Sequence, residues 1–266
     1  MSRPVEFEIQ QVFDSRDFAK DFAIRRSNAT EETTCRLGLS APPETLRLGY
    51  GDGASGYLRQ GEDDTKSVRD ILSRHGWELP HGGRVLDFGC AAGRLTRWVT
   101  SVWPKSEAWG VDIDAERITW ARLYLGSVAR FSMTTKIPHL PFPDQHFDLA
   151  FAFSVFTHID DLAHAWLLEL ARVLKPGGAA VVTIMDEHTT KVMTTRYAAH
   201  GLPQRLLGYR HYYEAPHEMF VITRDSVPDV WYRGEYFASL AGDAFDVLEM
   251  RPEFHGWQTG VAMRKR

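Results

Sequence analysis

The sequence predicts an α/β protein: a Rossmann-like, seven-stranded and mostly parallel sheet with an antiparallel edge strand and helices on both faces. Three observations predict this class. From residue 66 to residue 185, short apolar segments alternate with helical patterns. The segment AAVVTI at 179–184 lacks the polar alternation of a half-exposed strand, so it indicates a strand buried on both faces. Between the first strand and the next helix, a glycine-rich turn runs from Gly89 to Gly93.

The alternation assigns the main elements in order. They are a helix at 67–75, a strand at 84–87, a helix at 95–102, a strand at 108–112, a helix at 116–125, a short strand at 129–132, a strand at 147–153, a helix at 162–174 and a strand at 179–185. Because strands that alternate with helices of these lengths are joined by right-handed crossovers, we expect a parallel sheet covered on both faces.

Two further regions flank this alternation. Four apolar residues at roughly helical spacing predict an amphipathic helix around 12–22, and the Pro-, Gly- and Asp-rich segment 40–64 predicts a linker. Residues 1–65 are therefore expected to form an N-terminal helical extension and linker, and residues 66–266 one larger domain. Near its end we expect a helix at 228–241 and two strands, AFDVLEM and WQTGVAMRK, that pair antiparallel at one sheet edge.

Composition narrows the classes of partner and compartment. The formal net charge of -4 gives no reason to expect the basic stripe that nucleic acid requires, so no nucleic-acid partner is predicted. No stretch approaches the roughly 20 apolar residues of a membrane span, and the N-terminus mixes acids with its apolar residues, unlike a secretory signal. The two cysteines, Cys35 and Cys90, fit neither a disulfide framework nor a zinc site, which favours a cytoplasmic protein.

The turn in RVLDFGCAAGRLT at 84–96 departs from the dinucleotide-binding pattern, because Ala91 stands where a third glycine is usual. We expect Ala91 to keep a negative φ, at which a methyl group is tolerated. Asp87 ends the preceding strand, and a carboxylate there would repel a pyrophosphate but attract the ammonium and sulfonium of S-adenosylmethionine. Asp112 ends the next strand, 19 residues after Gly93, where a carboxylate can accept both ribose hydroxyls. The alternatives are a turn that needs small residues for packing and a helix N-cap at Asp112.

Four blocks in order resemble the class I S-adenosylmethionine-dependent methyltransferases over residues 67–185: VLDFGCAAGRLTRW, WGVDIDAERITWA, LPFPDQHFDLAFAFSVFTHIDD and WLLELARVLKPGGAAVVTI. The segments ITWA, PHLPFPDQHFD and SVFTH resemble a bacterial subgroup that often accompanies glycan and natural-product biosynthesis. The resemblance implies S-adenosylmethionine as the cofactor, with Asp112 on its ribose. Its methionine part is expected beside Asp87 and over the turn that contains Gly89, Cys90, Ala91 and Gly93.

The resemblance also bears on the adenine pocket. Many members place an acid before the LPF segment, but this sequence reads TTKIPH there, with Lys136 where the acid would fall. We therefore expect apolar contacts to adenine from Ile113, Ile137 or Leu140. Ser154, beyond the carboxyl end of the fourth strand, is expected to border the cofactor on the side of the acceptor.

Methyl transfer demands few catalytic residues, because it is an in-line displacement at an activated carbon. A hydroxyl acceptor benefits from a nearby base, and the two candidates are His158 in SVFTHID and His188 after the fifth strand. The alternatives are a His158 that packs on or caps the next helix and a His188 that lies in a solvated loop. Asp186, Glu187 and His188 together could offer metal ligands, but no metal site is predicted, because three adjacent residues seldom converge on one ion.

The segment 186–243 is too long for an ordinary connection between strands and is predicted to be a substrate cap. It holds six of the nine tyrosines in the chain. Tyr212, Tyr213 and Trp231 are the predicted substrate-binding residues, since rings with polar tips suit a sugar, a glycosylated product or an aromatic polyketide. The alternative is that these aromatic residues form core or a homodimer interface.

These patterns predict transfer of a methyl group from S-adenosylmethionine to a hydroxyl of a small molecule or glycan, in sugar or natural-product biosynthesis. One alternative is N-methylation of a small molecule. The segment FAFSVF counts against it, because it lacks the Asn/Asp-Pro-Pro-Tyr/Phe element that the family uses for planar nitrogens. The other alternative is a cofactor-binding module that regulates a partner without turnover.

Overall fold

A computed structural model describes residues 34–198, 201–224 and 227–266. The predicted helix at 12–22 lies outside these ranges. Nine strands are present within them, with these bounds: β1 Arg84–Phe88, β2 Glu107–Asp112, β3 Arg130–Met133, β4 Phe147–Ala152, β5 Leu174–Ile184, β6 Met219–Arg224, β7 Val227–Tyr232, β8 Phe245–His255 and β9 Gln258–Lys265.

Seven strands form one sheet in the order β3-β2-β1-β4-β5-β9-β8, and β6 pairs with β7 in a separate hairpin. The first five strands of the sheet pair in parallel, whereas β9 is antiparallel to both β5 and β8. The predicted fold class is therefore confirmed, and the antiparallel strand lies one place in from the sheet edge.

Helices cover both faces of the sheet. Their bounds are α1 Gly53–Ser73, α2 Val99–Val102, α3 Ala115–Leu125, α4 Ala163–Val173, α5 Glu187–Thr195, α6 Gly201–Leu207, α7 Arg210–Glu214 and α8 Gly234–Ala241. One core packs α1, α2 and α3 on the sheet through Ile71, Val99 and Ile118. The other packs α4 and α8 on the opposite face through Trp166 and Phe237. No helix of the described ranges is long and apolar enough to cross a membrane.

Helix α1 begins at Gly53, well before the start predicted at residue 67, so it crosses the predicted boundary at 65/66. Its glycines explain the error, because they give the segment the composition of a linker. Gly61 serves a different purpose: a Cβ there would lie 2.3 Å from the carbonyl oxygen of Arg94. Glycine thus lets the helix lie against the backbone that follows the turn after β1.

The predicted helix at 228–241 is wrong in its first half, because β7 occupies Val227–Tyr232. Pairing with β6, which places Trp231 opposite Phe220, overrides the local pattern. The second half is α8, which packs on α4. Over the carboxyl edge of the sheet, the segment 186–243 therefore contributes α5, α6, α7 and the β6–β7 hairpin, which share a small core around Met193, Leu206 and Trp231.

The close approach of α1 leads to a prediction about stability. In an ordinary helix, Gly→Ala stabilises by roughly 1 kcal/mol, but Gly61→Ala should destabilise by about 1–3 kcal/mol because the new Cβ meets backbone. Urea unfolding followed by circular dichroism measures the change. Ser55→Ala, at an exposed position of the same helix, is the control and should be close to neutral. A stabilised Gly61→Ala protein would show that the two backbones are not in contact.

Candidate functional site

The turn after β1 lies at the carboxyl edge of the parallel strands and is tightly packed. Gly89, Ala91 and Gly93 all have positive φ, at 78°, 47° and 71°. A Cβ on Gly89 would lie 2.3 Å from a methyl group of Val155, and one on Gly93 would lie 2.6 Å from Leu125. Both glycines are therefore required by backbone conformation and by packing, whatever the turn binds.

Four of the five backbone amides of this turn are already bonded within the protein. Gly89 and Cys90 both donate to the carbonyl of Val111, at 2.8 and 3.0 Å, and Gly93 donates to the carbonyl of Cys90 at 2.8 Å. The Ala91 amide donates to Asp112 Oδ2 at 2.8 Å. A phosphate-binding turn presents such amides to its ligand. The arrangement therefore favours a ligand without phosphate here.

The expectation of a negative φ at Ala91 is wrong. An alanine in the left-handed region costs roughly 1–2 kcal/mol. The hydrogen bond from its amide to Asp112 helps to hold this conformation. Ala91 is thus fixed by the acid at the end of β2.

Asp112 is positioned by two backbone amides. Its Oδ2 accepts from Ala91 and its Oδ1 accepts from Asp114 at 2.9 Å. Burial raises its pKa above the usual value, although both hydrogen bonds oppose the shift. Asp114, not Asp112, caps α3 by accepting from the amide of Arg117. Since each carboxylate oxygen has a second lone pair, Asp112 could still accept two ligand hydroxyls.

Asp87 and Cys90 lie beneath the turn. Asp87 is 3% exposed and accepts a hydrogen bond of 2.5 Å from the Thr96 hydroxyl. Burial raises the pKa of Asp87 to about 7, with the charge of Asp112 acting in the same direction and Thr96 and Arg94 opposing it. Burial likewise raises the pKa of the Cys90 thiol. A cation above the turn would favour the ionised form of Asp87.

Apolar side chains are exposed beyond the ends of β2 and β3. Ile113 is 49% exposed and Ile137 is 69% exposed, so both have surface available to a flat ring. Leu140, the third expected contact, is fully buried, and its amide donates to Glu169. Its predicted contact with adenine is therefore not supported by its position.

Ser154 follows β4 and lies in a polar network. It has a φ of 55°, and its hydroxyl accepts from Tyr50 at 2.7 Å and from Gln258 at 2.9 Å. Its amide donates to the Thr183 hydroxyl at 2.7 Å, which in turn donates to Gln258 Oε1 at 2.6 Å. Sequence reasoning missed Tyr50, Thr183 and Gln258, because nothing in the local pattern brings these segments together.

A buried ionic cluster lies beside this network and was also missed. Arg94, directly after the turn, pairs with Asp64 of α1. His255 Nδ1 at the end of β8 lies 3.0 Å from Asp64 Oδ2. Burial alone would raise the pKa of Asp64, but His255 and Arg94 stabilise the carboxylate and lower it. The ring of Tyr50 covers the Arg94 guanidinium at 4.3 Å.

His158, in the short 3₁₀ turn after β4, is exposed and contacts the β6–β7 hairpin. Its Nδ1 lies 2.7 Å from the carbonyl oxygen of Pro228. A carbonyl can only accept, so the proton is on Nδ1 and the neutral ring keeps its lone pair on Nε2. Asp229 Oδ1 lies 3.9 Å from the same nitrogen. The ring therefore has both a structural contact and a nitrogen that can accept a proton.

His188 and its two neighbours point to different partners. His188 Nε2 lies 3.2 Å from Glu253 on β8. Asp186 caps α5 by accepting from the Thr189 amide at 2.9 Å, and Glu187 accepts from the Gly234 amide at 3.0 Å. Across the residues that the structure describes, no group of three or more His, Cys, Asp or Glu side chains is placed to hold a metal.

A cavity of about 400 Å³ lies within the segment 186–243, and its lining begins at Asp186, just after β5. Its lining includes Tyr213 and Trp231, two of the three predicted substrate-binding residues. Trp231 is 1% exposed and stacks on Phe220, with ring centroids 4.7 Å apart and planes inclined by 6°. The side chain of Tyr212 lies outside the described part of the structure.

Comparisons with known proteins find similar sequences and similar folds. Residues 86–182 match a family model described as a methyltransferase domain. A trans-aconitate 2-methyltransferase from Azoarcus sp. (strain BH72) is 31% identical over 218 residues, which cover 70% of this chain and 82% of that protein. A ubiquinone/menaquinone biosynthesis C-methyltransferase UbiE from Pseudomonas syringae pv. syringae (strain B728a) is 35% identical over 128 residues, covering 45% of this chain and 48% of the relative.

Solved structures share the fold at lower identity. A protein from Pyrococcus horikoshii OT3 superposes with a TM-score of 0.60 and 18% identity, covering 84% of this chain and 99% of its own. A SAM-dependent methyltransferase from Aquifex aeolicus superposes with a TM-score of 0.51 and 18% identity, covering 79% of this chain and 97% of its own. At 18% identity, these two similarities show the fold alone.

The position of Asp112 leads to a prediction about cofactor affinity. If its carboxylate accepts ribose hydroxyls, Asp112→Ala should weaken S-adenosylmethionine binding by about 10-fold or more, since a hydrogen bond to a charged group contributes roughly 1.5–3 kcal/mol. Isothermal titration measures the affinity. Asp114→Ala, which removes the cap of α3 two residues away, is the matched control and should have a smaller effect. An Asp112→Ala protein that binds within a factor of two of wild type would exclude the ribose contact.

The buried carboxyl of Asp87 leads to a prediction about pH. A pKa of about 7 in the folded protein exceeds the unfolded value of about 4, so this group's stabilising contribution is present at low pH and is lost as the pH rises through 7. Asp87→Asn should therefore gain stability relative to wild type between pH 5 and pH 8, on the order of 2–4 kcal/mol. Denaturant unfolding at intermediate pH values measures this difference. A difference that does not change with pH would mean that Asp87 is ionised throughout.

Proposed function

The chain belongs to the class I S-adenosylmethionine-dependent methyltransferases, and we propose that it methylates an oxygen of a small-molecule or glycan acceptor bound under the cap. The observation that carries the proposal is the cavity of about 400 Å³ at the end of β5. This volume suits a small molecule or one or two sugar units, since ligand pockets measure roughly 300–1,000 Å³. The cavity lining begins at Asp186, two residues after the end of β5.

In this proposal, the methionine part of the cofactor lies over the turn Gly89–Gly93 and the ribose hydroxyls bond to Asp112. The inward-bonded amides of the turn and the buried acid Asp87 support a cationic ligand without phosphate. Exposed Ile113 and Ile137 offer apolar surface for the adenine. The bound cofactor supplies a methyl group on an activated sulfonium. The protein's task is then to orient the acceptor and exclude water.

His158 is the residue proposed to take the proton of an acceptor hydroxyl. The carbonyl of Pro228 orients the ring and leaves Nε2 as the basic nitrogen. His188 is the weaker candidate, because Glu253 engages its Nε2. The Pro228 contact equally stabilises the hairpin, so a kinetic measurement has to separate the two roles.

Under the cap, Tyr213 and the stacked pair Phe220 and Trp231 are proposed to contact the acceptor, with Tyr212 as a further candidate. Aromatic faces beside polar side chains are typical of sites for sugars and for hydroxylated rings. One relative is named for trans-aconitate and another as a C-methyltransferase. Carbon is therefore the competing acceptor atom.

One experiment tests both the methyl transfer and the identity of the acceptor atom. The protein is first titrated with S-adenosylmethionine, and then incubated with ¹³C-methyl-labelled cofactor and a panel of hydroxylated sugars, phenols and quinols. We expect cofactor binding, release of S-adenosylhomocysteine and a methyl carbon shift typical of an ether. A methyl on carbon or nitrogen would overturn the oxygen assignment. Tight cofactor binding without turnover on any acceptor would favour the regulatory module.

The proposed base leads to a kinetic prediction. His158→Gln should lower kcat by about 10²–10⁴-fold and leave cofactor affinity unchanged, because general-base catalysis contributes roughly that much. His164→Gln is the matched control, since the side chains of His164 and His158 are both 41% exposed and His164, on α4, pairs with Asp243. If His158→Gln keeps wild-type kcat while lowering the melting temperature, the role of His158 is structural.

A further inference from the structure

The cavity under the cap is lined by six charged side chains, in equal numbers of acids and bases. These are Asp186, Glu187, Lys191, Arg210, Glu214 and Arg233. A balanced count would suggest a neutral ligand. The next question is therefore which of these side chains already have hydrogen-bond or ion-pair partners within the protein.

All three acids are already matched within the protein. Asp186 accepts from the first turn of α5 and Glu187 accepts from the first residue of α8, so a helix N-terminus offsets each charge. Glu214 pairs with Arg210, whose Nε lies 2.6 Å from Glu214 Oε1.

Two of the three basic side chains are unpaired. Within the described part of the chain, neither Lys191 nor Arg233 has a hydrogen-bonding or ion-pair partner for its side chain. Both side chains are exposed to the cavity region and to solvent. Lys191 and Arg233 are therefore the two charged groups of the lining whose side chains are free to pair with an anion.

The aromatic part of the lining offers apolar surface to the same ligand. Phe220 is half-buried and stacks on Trp231, which is itself 1% exposed. A ligand in this cavity would therefore meet the Phe220 ring beside the two unpaired bases.

We propose that the cavity recognises its acceptor through a carboxylate, held by Lys191 and Arg233 beside the aromatic wall of Phe220 and Trp231. The guanidinium fork of Arg233 matches a carboxylate in geometry, and Lys191 adds a second positive charge. The acceptor class is thus a hydroxylated or unsaturated carboxylic acid, such as a uronic acid or an aromatic acid. This inference rests on the proposed function, because it makes the same cavity the acceptor site.

The cavity and the Ser154 network are joined through the end of β5. Asp186 of the cavity lining lies two residues beyond Ile184, and the amide of Ser154 bonds to Thr183 of the same strand.

The test uses matched acid and neutral compounds, titrated into the protein with S-adenosylhomocysteine present at low ionic strength. The pairs are glucuronate with glucose and benzoate with benzyl alcohol. We expect at least one acid to bind about 10-fold more tightly than its neutral partner. Lys191→Gln combined with Arg233→Gln should remove this preference. Arg196→Gln is the control, because Arg196 is an exposed arginine after α5 that pairs with Glu253 outside the cavity.

Two results would overturn the inference: equal binding of acids and neutral compounds by wild type, or an acid preference that survives in the double variant. Methyl transfer is measured on the same samples. Turnover of a neutral acceptor with unchanged kcat/KM in the double variant would reject the carboxylate site and leave the methyltransferase proposal intact. An acid preference without methyl release on any acceptor would reject the proposed reaction and leave the anion site.

Discussion

The carboxylate of Asp112 fixes the geometry of the carboxyl edge of the sheet. One oxygen holds the amide of Ala91 and the other holds the amide of Asp114. The same residue therefore sets the left-handed conformation in the turn after β1 and the entry into α3, which Asp114 caps. Because the amides of Gly89, Cys90, Ala91 and Gly93 are bonded within the protein, the turn is held in place before any ligand binds, and the ordering cost of binding is reduced.

A second set of contacts ties distant segments to this edge. Asp64 of α1, Arg94 after the turn and His255 of β8 form a buried ionic cluster, which Tyr50 covers while it bonds to Ser154. Removing one member would leave a buried charge without its partner, which is more costly than the pair is stabilising. The cluster thus makes the position of Tyr50 over the edge depend on three elements at once.

The order of strands and helices between β1 and β5 was predictable, because β1, β4 and the second half of β5 are buried, mostly apolar segments separated by helical patterns. Side-chain contacts between residues far apart in the sequence were not predictable. Tyr50 and Ser154 are 104 residues apart, and no local pattern records their contact. Gly61 was taken for a linker residue because composition cannot distinguish a flexible glycine from one that meets a backbone.

His188, one of the two candidate bases, shows that even contacts of neighbouring residues are not predictable from a local sequence pattern. Its place directly after β5 suggested that it faces the acceptor. Residues that follow a helix cap, however, rotate by about 100° each, so successive side chains diverge. Asp186 therefore caps α5, Glu187 reaches α8 and His188 turns to Glu253. The sequence showed that these residues follow β5, but it did not show the direction in which each side chain points.

The carboxyl edge of the sheet carries acidic groups, whereas the described cavity lining in the segment 186–243 carries two unpaired basic groups. Burial raises the pKa of both Asp87 and Asp112, so a further cation beside them would favour their ionised forms. Under the cap, Lys191 and Arg233 lack an anion within the described residues. A cationic cofactor at the first place and an anionic acceptor at the second would each match the nearby charge of the protein. Because methyl transfer from a sulfonium removes the positive charge of the donor, it also weakens the attraction at Asp87, which favours release of the product S-adenosylhomocysteine.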